Sequence, residues 1–69
     1  MATFKALIQR DGEWWVGWIE EIPGVNSQGA TREGLLQNLR SALAEALEMN
    51  RAEARAAATG AFEEASVHA

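Results

Sequence analysis

Few residues of this chain carry side chains suited to acid, base or nucleophilic chemistry. The chain has no cysteine, and its one histidine, His68, stands next to the C-terminus, where chains are commonly frayed. A catalytic triad needs a nucleophile and an orienting group beside its histidine, and nothing near His68 supplies them. We therefore interpret His68 as a surface or tail residue and expect no catalytic residue, which disfavours a small hydrolase.

The acidic residues include two neighbouring pairs, Glu20-Glu21 and Glu63-Glu64. Adjacent residues of a strand point to opposite faces, so neither pair is suited to hold a metal ion or to divide acid and base roles. We interpret them as solvated or edge-strand charges that discourage unwanted pairing. The glycines of residues 24–34 fit neither G-x-G-x-x-G nor the P-loop spacing. We expect no metal site and no cofactor.

All the tryptophans lie in one run, "EWWVGWIEEI", at residues 13–22. A water-facing strand should show polar residues on one side, so two apolar sides indicate burial on both or a face kept for another molecule. Strand alternation gives the two sides as Trp14, Val16 and Trp18 against Trp15, Gly17 and Ile19.

We predict Trp15 as a core residue and assign the other side of the strand to a binding interface. Tryptophan is enriched at binding hot spots. Nucleic-acid surfaces interleave aromatic residues with Lys or Arg, whereas glutamates surround this run. The predicted interface, with a partner or with another copy, consists of Trp14, Val16, Trp18, Glu20 and Glu21.

Charge and length narrow the class of protein further. Six basic and ten acidic residues give a net charge of -4, which repels nucleic acid and suits a basic protein partner, although ordinary solubility charge explains the same number. "MATFKALIQRDG" lacks the pattern of a signal peptide, and no apolar run is long enough for a membrane span. We expect one cytoplasmic domain, residues 1–69, whose small core favours oligomerisation.

The elements that position these residues are predicted from periodicity and turn signals. Residues 3–10 alternate as a strand, and Asp11-Gly12 predicts a hairpin turn to the tryptophan strand. Pro23-Gly24 then reverses the chain, "VNSQG" is long enough for a third strand, and Gly29 offers an unusual backbone angle before the helix.

An amphipathic helix should follow, with Thr31 as its N-cap. Its end is predicted near Thr59-Gly60, at a length of about 40 Å, so that its last turns overhang the sheet; whether it continues past Met49 is open. "FEEASVHA" predicts a short final strand. The fold class is a two-layer α+β domain, β-β-β-α-β, with an antiparallel sheet covered on one face by one helix. The apolar stripe comprises Leu35, Leu36, Leu39, Leu43, Ala46 and Leu47.

The order of these features resembles the HicB family of bacterial and archaeal antitoxins. Its members show a D-G, an aromatic strand, a "P-x-L-P-G" turn, a "T-Q-G-x-T" approach and then "E-A-L-x-N-x-x-E-A-L". Glu20 stands where the family often has its first proline, Val25 where a cysteine is frequent, and Gly34 where glutamate or alanine is usual. The corresponding segments here are Asp11-Gly12, Trp14-Trp15, residues 22–24, residues 27–31 and residues 36–43.

The resemblance implies a non-enzymatic, partial ribonuclease-H-like domain that binds and masks a small basic HicA-type toxin, which cleaves mRNA with a histidine of its own. Many members also carry a C-terminal DNA-binding segment; this chain ends before one would fit, so direct nucleic-acid binding is not expected. The alternative is a stand-alone homo-oligomeric interaction module without a toxin partner.

Overall fold

A computed structural model describes residues 3–67 and contains a three-stranded antiparallel sheet followed by one helix. The sheet has the order β1-β2-β3, so each strand pairs with its neighbour in the sequence. The α+β class and the predicted order of the first four elements are confirmed. The elements are β1 (Ala6–Asp11), β2 (Trp14–Ile19), β3 (Asn26–Gly29) and α1 (Arg32–Ala57).

The turn of the first hairpin lies one residue later than the sequence predicts. Asp11 pairs with Trp14 as the last pair of β1 and β2, so the loop residues are Gly12 and Glu13 rather than Asp11 and Gly12. Gly12 has φ +62°, and no non-glycine residue among those described has positive φ. A positive φ first and a negative φ second match a type II′ turn, which has glycine at its first central position.

The two faces of the sheet carry the side chains that alternation predicts. The inner face, which faces α1, includes buried and half-buried residues, and Phe4 extends its packing against the core. The opposite face, called the outer face below, has no element of the described chain upon it. The inner residues of the strands are Ala6, Ile8, Arg10, Trp15, Gly17, Ile19, Ser27 and Gly29.

The chain reverses at Pro23-Gly24, as predicted. Gly24 has φ +88°, a conformation that favours glycine. The N–H of Ile19 donates to the carbonyl of Val25 at 2.9 Å, which holds the return of the chain against β2. Val25 is buried as a result and β3 begins at the next residue.

Gly29 has a different role from the one expected. It does not have a positive φ; instead, a Cβ at this position would lie 2.5 Å from the backbone nitrogen of Leu35. On the neighbouring strand, a Cβ at Gly17 would lie 3.2 Å from Cδ2 of Leu35. The glycines therefore allow α1 to pack directly on the backbone of β2 and β3.

The core is small and lies between α1 and these two strands. Its buried apolar residues are Ile19, Val25, Leu35 and Leu39, of which Leu35 is fully buried and Leu39 is 2% exposed. The apolar residues packed around this cluster are only half-buried. A core of this size leaves the domain near the lower limit of independent stability.

Thr31 caps the helix as predicted. Its hydroxyl accepts a hydrogen bond from the N–H of Gly34 at 3.0 Å, and its backbone is extended, with φ -130° and ψ 162°. Glu33 lies in the first turn, where the helix dipole favours negative charge.

Replacing Thr31 with alanine should therefore lower the free energy of unfolding by about 1 kcal/mol. For a domain of this size, that loss lowers the melting temperature by roughly 4–8 °C, which thermal unfolding followed by circular dichroism measures. Ser41→Ala, at an exposed position within the helix, is the matched control and should leave the melting temperature nearly unchanged. Equal melting temperatures for the two variants would show that the cap contributes nothing.

The helix continues past Met49 and ends at Ala57, two residues before the predicted stop. From Glu48 onwards every described residue is exposed, so the last turns overhang the sheet as expected. The residues after the helix turn back towards it, and Arg55 forms an ion pair with Glu64.

The predicted final strand is wrong for residues 61–67, which contain no strand. The helix runs for 18 residues beyond Leu39, its last buried residue, which is about 27 Å. To reach the sheet again, about eight of the residues after Ala57 would have to be fully extended. The residues after Ala57 instead stay beside the last turns of α1. His68 and Ala69, also in the predicted strand, lie outside the described residues.

Candidate protein-binding face

The outer face is an apolar surface with polar residues at its sides. Its exposed large side chains are Trp14 at 50%, Leu7 at 45% and Trp18 at 39%. The register sets Leu7 beside Trp18, and Trp18 beside Asn26 of β3. Aromatic and aliphatic side chains on neighbouring strands are close enough to form a continuous surface.

A second row of residues crosses the sheet beside the first. Val16 lies between Gln9 of β1 and Gln28 of β3 and is half-buried. A shallow depression of about 330 Å³ lies between the Trp18 side of β2 and the residues of β3. The outer face therefore combines aromatic anchors with side-chain amides, which suits a protein partner better than a small ligand, because small ligands need deeper pockets.

Acidic side chains lie at the end of this face. Glu20 follows β2, and its N–H donates to the carbonyl of Lys5 at 2.9 Å, so strand alternation extends to it and places it on the outer side. The carboxylate of Glu21 accepts hydrogen bonds from the N–H of Lys5 at 3.0 and 3.3 Å. Glu21 is thus tied to the end of the hairpin, whereas Glu20 makes no side-chain hydrogen bond within residues 3–67.

The structure brings together most of the predicted interface residues. Trp14, Val16 and Trp18 share the outer face, and both glutamates are exposed near its end. Trp15 lies on the inner face, packed against the core as predicted, with the guanidinium of Arg10 5.3 Å from its ring centroid. This separation of the tryptophans follows from strand alternation.

Leu7 is the main residue of the face that the sequence prediction omitted from the interface. Alternation placed it opposite Ala6 and Ile8, but its contact with Trp18 depends on the register of the hairpin. The signal was the position of the two-residue turn. Glycine is favoured at the first central position of a type II′ turn, and a turn at Gly12 and Glu13 sets Leu7 opposite Trp18.

Among residues 3–67, no group of His, Asp and Glu side chains converges as a metal site would require. A depression of about 910 Å³ lies at the end of α1, where Arg55 pairs with Glu64 on an open surface. Within the same range, no helix is both long and apolar enough to cross a bilayer.

No family model, curated protein or solved structure gave a significant match to this chain.

Proposed function

We propose that this chain is a HicB-like, non-catalytic protein that acts as an antitoxin by binding and masking a small basic HicA-type toxin that cleaves mRNA. The observation that carries this proposal is the outer face, on which Trp14, Trp18 and Leu7 remain exposed opposite the helix. The ordered HicB-like motifs of the sequence supply the identity of the partner. A partial ribonuclease-H-like topology is part of the same proposal.

The physical basis of binding is burial of the tryptophans under a partner. Exposed apolar patches on small proteins mark interaction surfaces, and buried aromatic side chains supply much of the affinity at protein interfaces. Trp14 and Trp18 lie on one strand, so a rigid backbone presents them with little loss of conformational entropy on binding. Masking the toxin requires no catalytic group in this chain.

Charge supports the choice of a basic partner. The net charge is -4, and Glu20 stands at the end of the outer face without a side-chain partner among residues 3–67. Complementary charges raise the rate of association and disfavour wrong partners. A basic ribonuclease, whose surface attracts RNA phosphates, should therefore also be attracted to this face.

The test is co-purification of this chain with a small basic protein encoded beside it, followed by an mRNA cleavage assay. We expect a stable complex and loss of cleavage when the two proteins are mixed in equal amounts. Unimpeded cleavage in the presence of excess folded chain would refute the antitoxin proposal.

The contribution of charge is tested with Glu20→Lys. We expect this variant to reduce the association rate about tenfold at low salt, and the difference to shrink as salt is added. Stopped-flow binding measures both effects. Glu45→Lys, the same charge change at an exposed helix position, is the control; an equal decrease in both variants would reject a specific role for Glu20.

A further inference from the structure

The two edges of the sheet differ in how they are covered. At the β3 edge, the side-chain amide of Asn38 donates to the carbonyl of Gln28 at 2.8 Å, and α1 packs on this strand. The β1 edge is longer, with six residues against four. The backbone of α1 does not approach β1 closely, and an apolar groove of about 440 Å³, lined by Phe4, Ala6 and Leu43 among others, lies between them.

The free edge of β1 carries backbone groups that have no partner within the described chain. The carbonyl of Lys5 accepts a hydrogen bond from the N–H of Glu20, just beyond β2, so the peptide groups of Lys5 point towards that strand. Every second residue of a strand points the same way, and the peptide groups of Leu7, Gln9 and Asp11 therefore also point towards β2. Those of Ala6, Ile8 and Arg10 therefore point outwards. An uncovered edge strand of this kind is a template for pairing with another strand.

We propose that two copies of this chain form a dimer by pairing their β1 strands in antiparallel orientation, with the twofold axis through Ile8. In this register Ile8 lies opposite the partner's Ile8, and Ala6 lies opposite the partner's Arg10. All the outward peptide groups named above then form hydrogen-bonded pairs. If the two strands are shifted relative to each other, at least one of these outward peptide groups no longer lies opposite a residue of the partner's β1 and loses its hydrogen bonds.

Charge complementarity selects the same register. It places Lys5 opposite the partner's Asp11 on the outer side of the sheet, and the symmetry creates this pair twice. Both residues are exposed in the single chain. Moving the centre of symmetry to Leu7 places Lys5 opposite the partner's Gln9, and moving it to Gln9 places Asp11 opposite the partner's Leu7. Opposite charges on directly facing residues stabilise strand pairing, whereas like charges oppose it.

The dimer would join two three-stranded sheets edge to edge, with both helices on the same side. The two outer faces then form one surface, because Leu7 lies beside the partner's Gln9. This inference does not depend on the proposed toxin, and it keeps Trp14 and Trp18 free for a different molecule. Self-association through the tryptophans would instead cover the outer face.

Charge exchange in the isolated full chain tests the pairing. We expect Lys5→Glu and Asp11→Lys each to raise the dimer dissociation constant about tenfold, since each introduces like charges at both symmetric sites, and the double variant to restore it. Sedimentation over a concentration range measures the constant, and circular dichroism confirms folding. The control Glu45→Lys should leave the constant unchanged. The proposal is overturned if the wild-type chain is a monomer at all concentrations, which is the result expected if the chain's own tail covers β1.

Engineered cysteines test the register in this cysteine-free chain. Position 7 faces the partner's position 9 in a non-hydrogen-bonded pair, with Cα atoms about 4.5 Å apart, within the range of a disulfide. Two copies of position 7 are roughly 8 Å apart, which is too far. Under mild oxidation, a mixture of Leu7→Cys and Gln9→Cys chains should form covalent dimers much faster than either variant alone. Equal rates in all samples, or no covalent dimer, would reject this register.

Discussion

The variant Gly29→Ala should be largely unfolded at room temperature. Its new methyl group would lie 2.5 Å from the nitrogen of Leu35 and 3.0 Å from the carbonyl carbon of Gly34. Both are backbone atoms, so a side-chain rotation cannot relieve the overlap and β3 must move away from α1. That movement opens the contact that buries Leu35 and Leu39.

The magnitude follows from the size of the core. Overpacking a rigid site costs about 1–3 kcal/mol and occasionally more, and a backbone overlap belongs at the upper end of that range. A single core in a chain of this length supplies at most about 3–5 kcal/mol of stability. The loss in Gly29→Ala is therefore comparable to the whole free energy of unfolding.

Urea denaturation followed by circular dichroism measures this loss, with Gly34→Ala as the matched control. At Gly34 a Cβ would meet only the hydroxyl of Thr31, at 3.1 Å, and alanine favours a helix over glycine by up to about 1 kcal/mol. Gly34→Ala should thus remain within about 1 kcal/mol of the original chain. A Gly29→Ala protein with an unchanged denaturation midpoint would contradict the close packing of α1 on β3.

The faces of the sheet could be predicted from the sequence although the turn was placed wrongly. A turn centred on Asp11 and Gly12 would set Leu7 opposite Val16, whereas the actual turn sets it opposite Trp18. The two registers differ by two residues, and strand alternation has a period of two. The error therefore left every side chain on its predicted face but concealed the contact between Leu7 and Trp18.

The features that the sequence did not predict depend on distances between elements. The sequence predicts a special backbone angle at Gly29 because glycine adopts such angles readily, but the requirement for glycine comes from the approach of Leu35. The final strand failed for a similar reason, since periodicity in "FEEASVHA" contains no information about the length of α1. Periodicity and turn signals predict the strands and the helix, whereas the contacts between these elements depend on how they pack.

The outer face could be assigned from the sequence only in part. Alternation identified Trp14, Val16 and Trp18 as one side of a strand, and the helix was expected to cover one face of the sheet. The sequence also predicts that Trp15 is the covered tryptophan, but not the reason, which lies in the glycines of the inner face: only small residues at Gly17 and Gly29 admit the helix there. Such complementarity between elements is visible only once they are assembled.

The double variant Trp14→Ala, Trp18→Ala should bind the proposed toxin at least about 100-fold more weakly while remaining folded. Truncating one tryptophan at the centre of an interface costs about 2 kcal/mol or more, and about 1.4 kcal/mol corresponds to a tenfold change in affinity. Because both side chains are already substantially exposed in the free chain, their removal costs little stability. Titration calorimetry and urea denaturation separate the two effects.

The variant Trp15→Ala, on the same strand, should lose stability, whereas the double variant should lose affinity and keep its fold. Trp15 packs against the core, and removing a packed tryptophan costs about 3–5 kcal/mol, so this variant should lose its fold. The pair of results distinguishes a binding face from a packing face, because one set of tryptophans controls affinity and the other controls stability. Toxin binding unchanged in the folded double variant would exclude the outer face as the interface, since no partner could cover Trp14 and Trp18 without losing contact area when both are truncated.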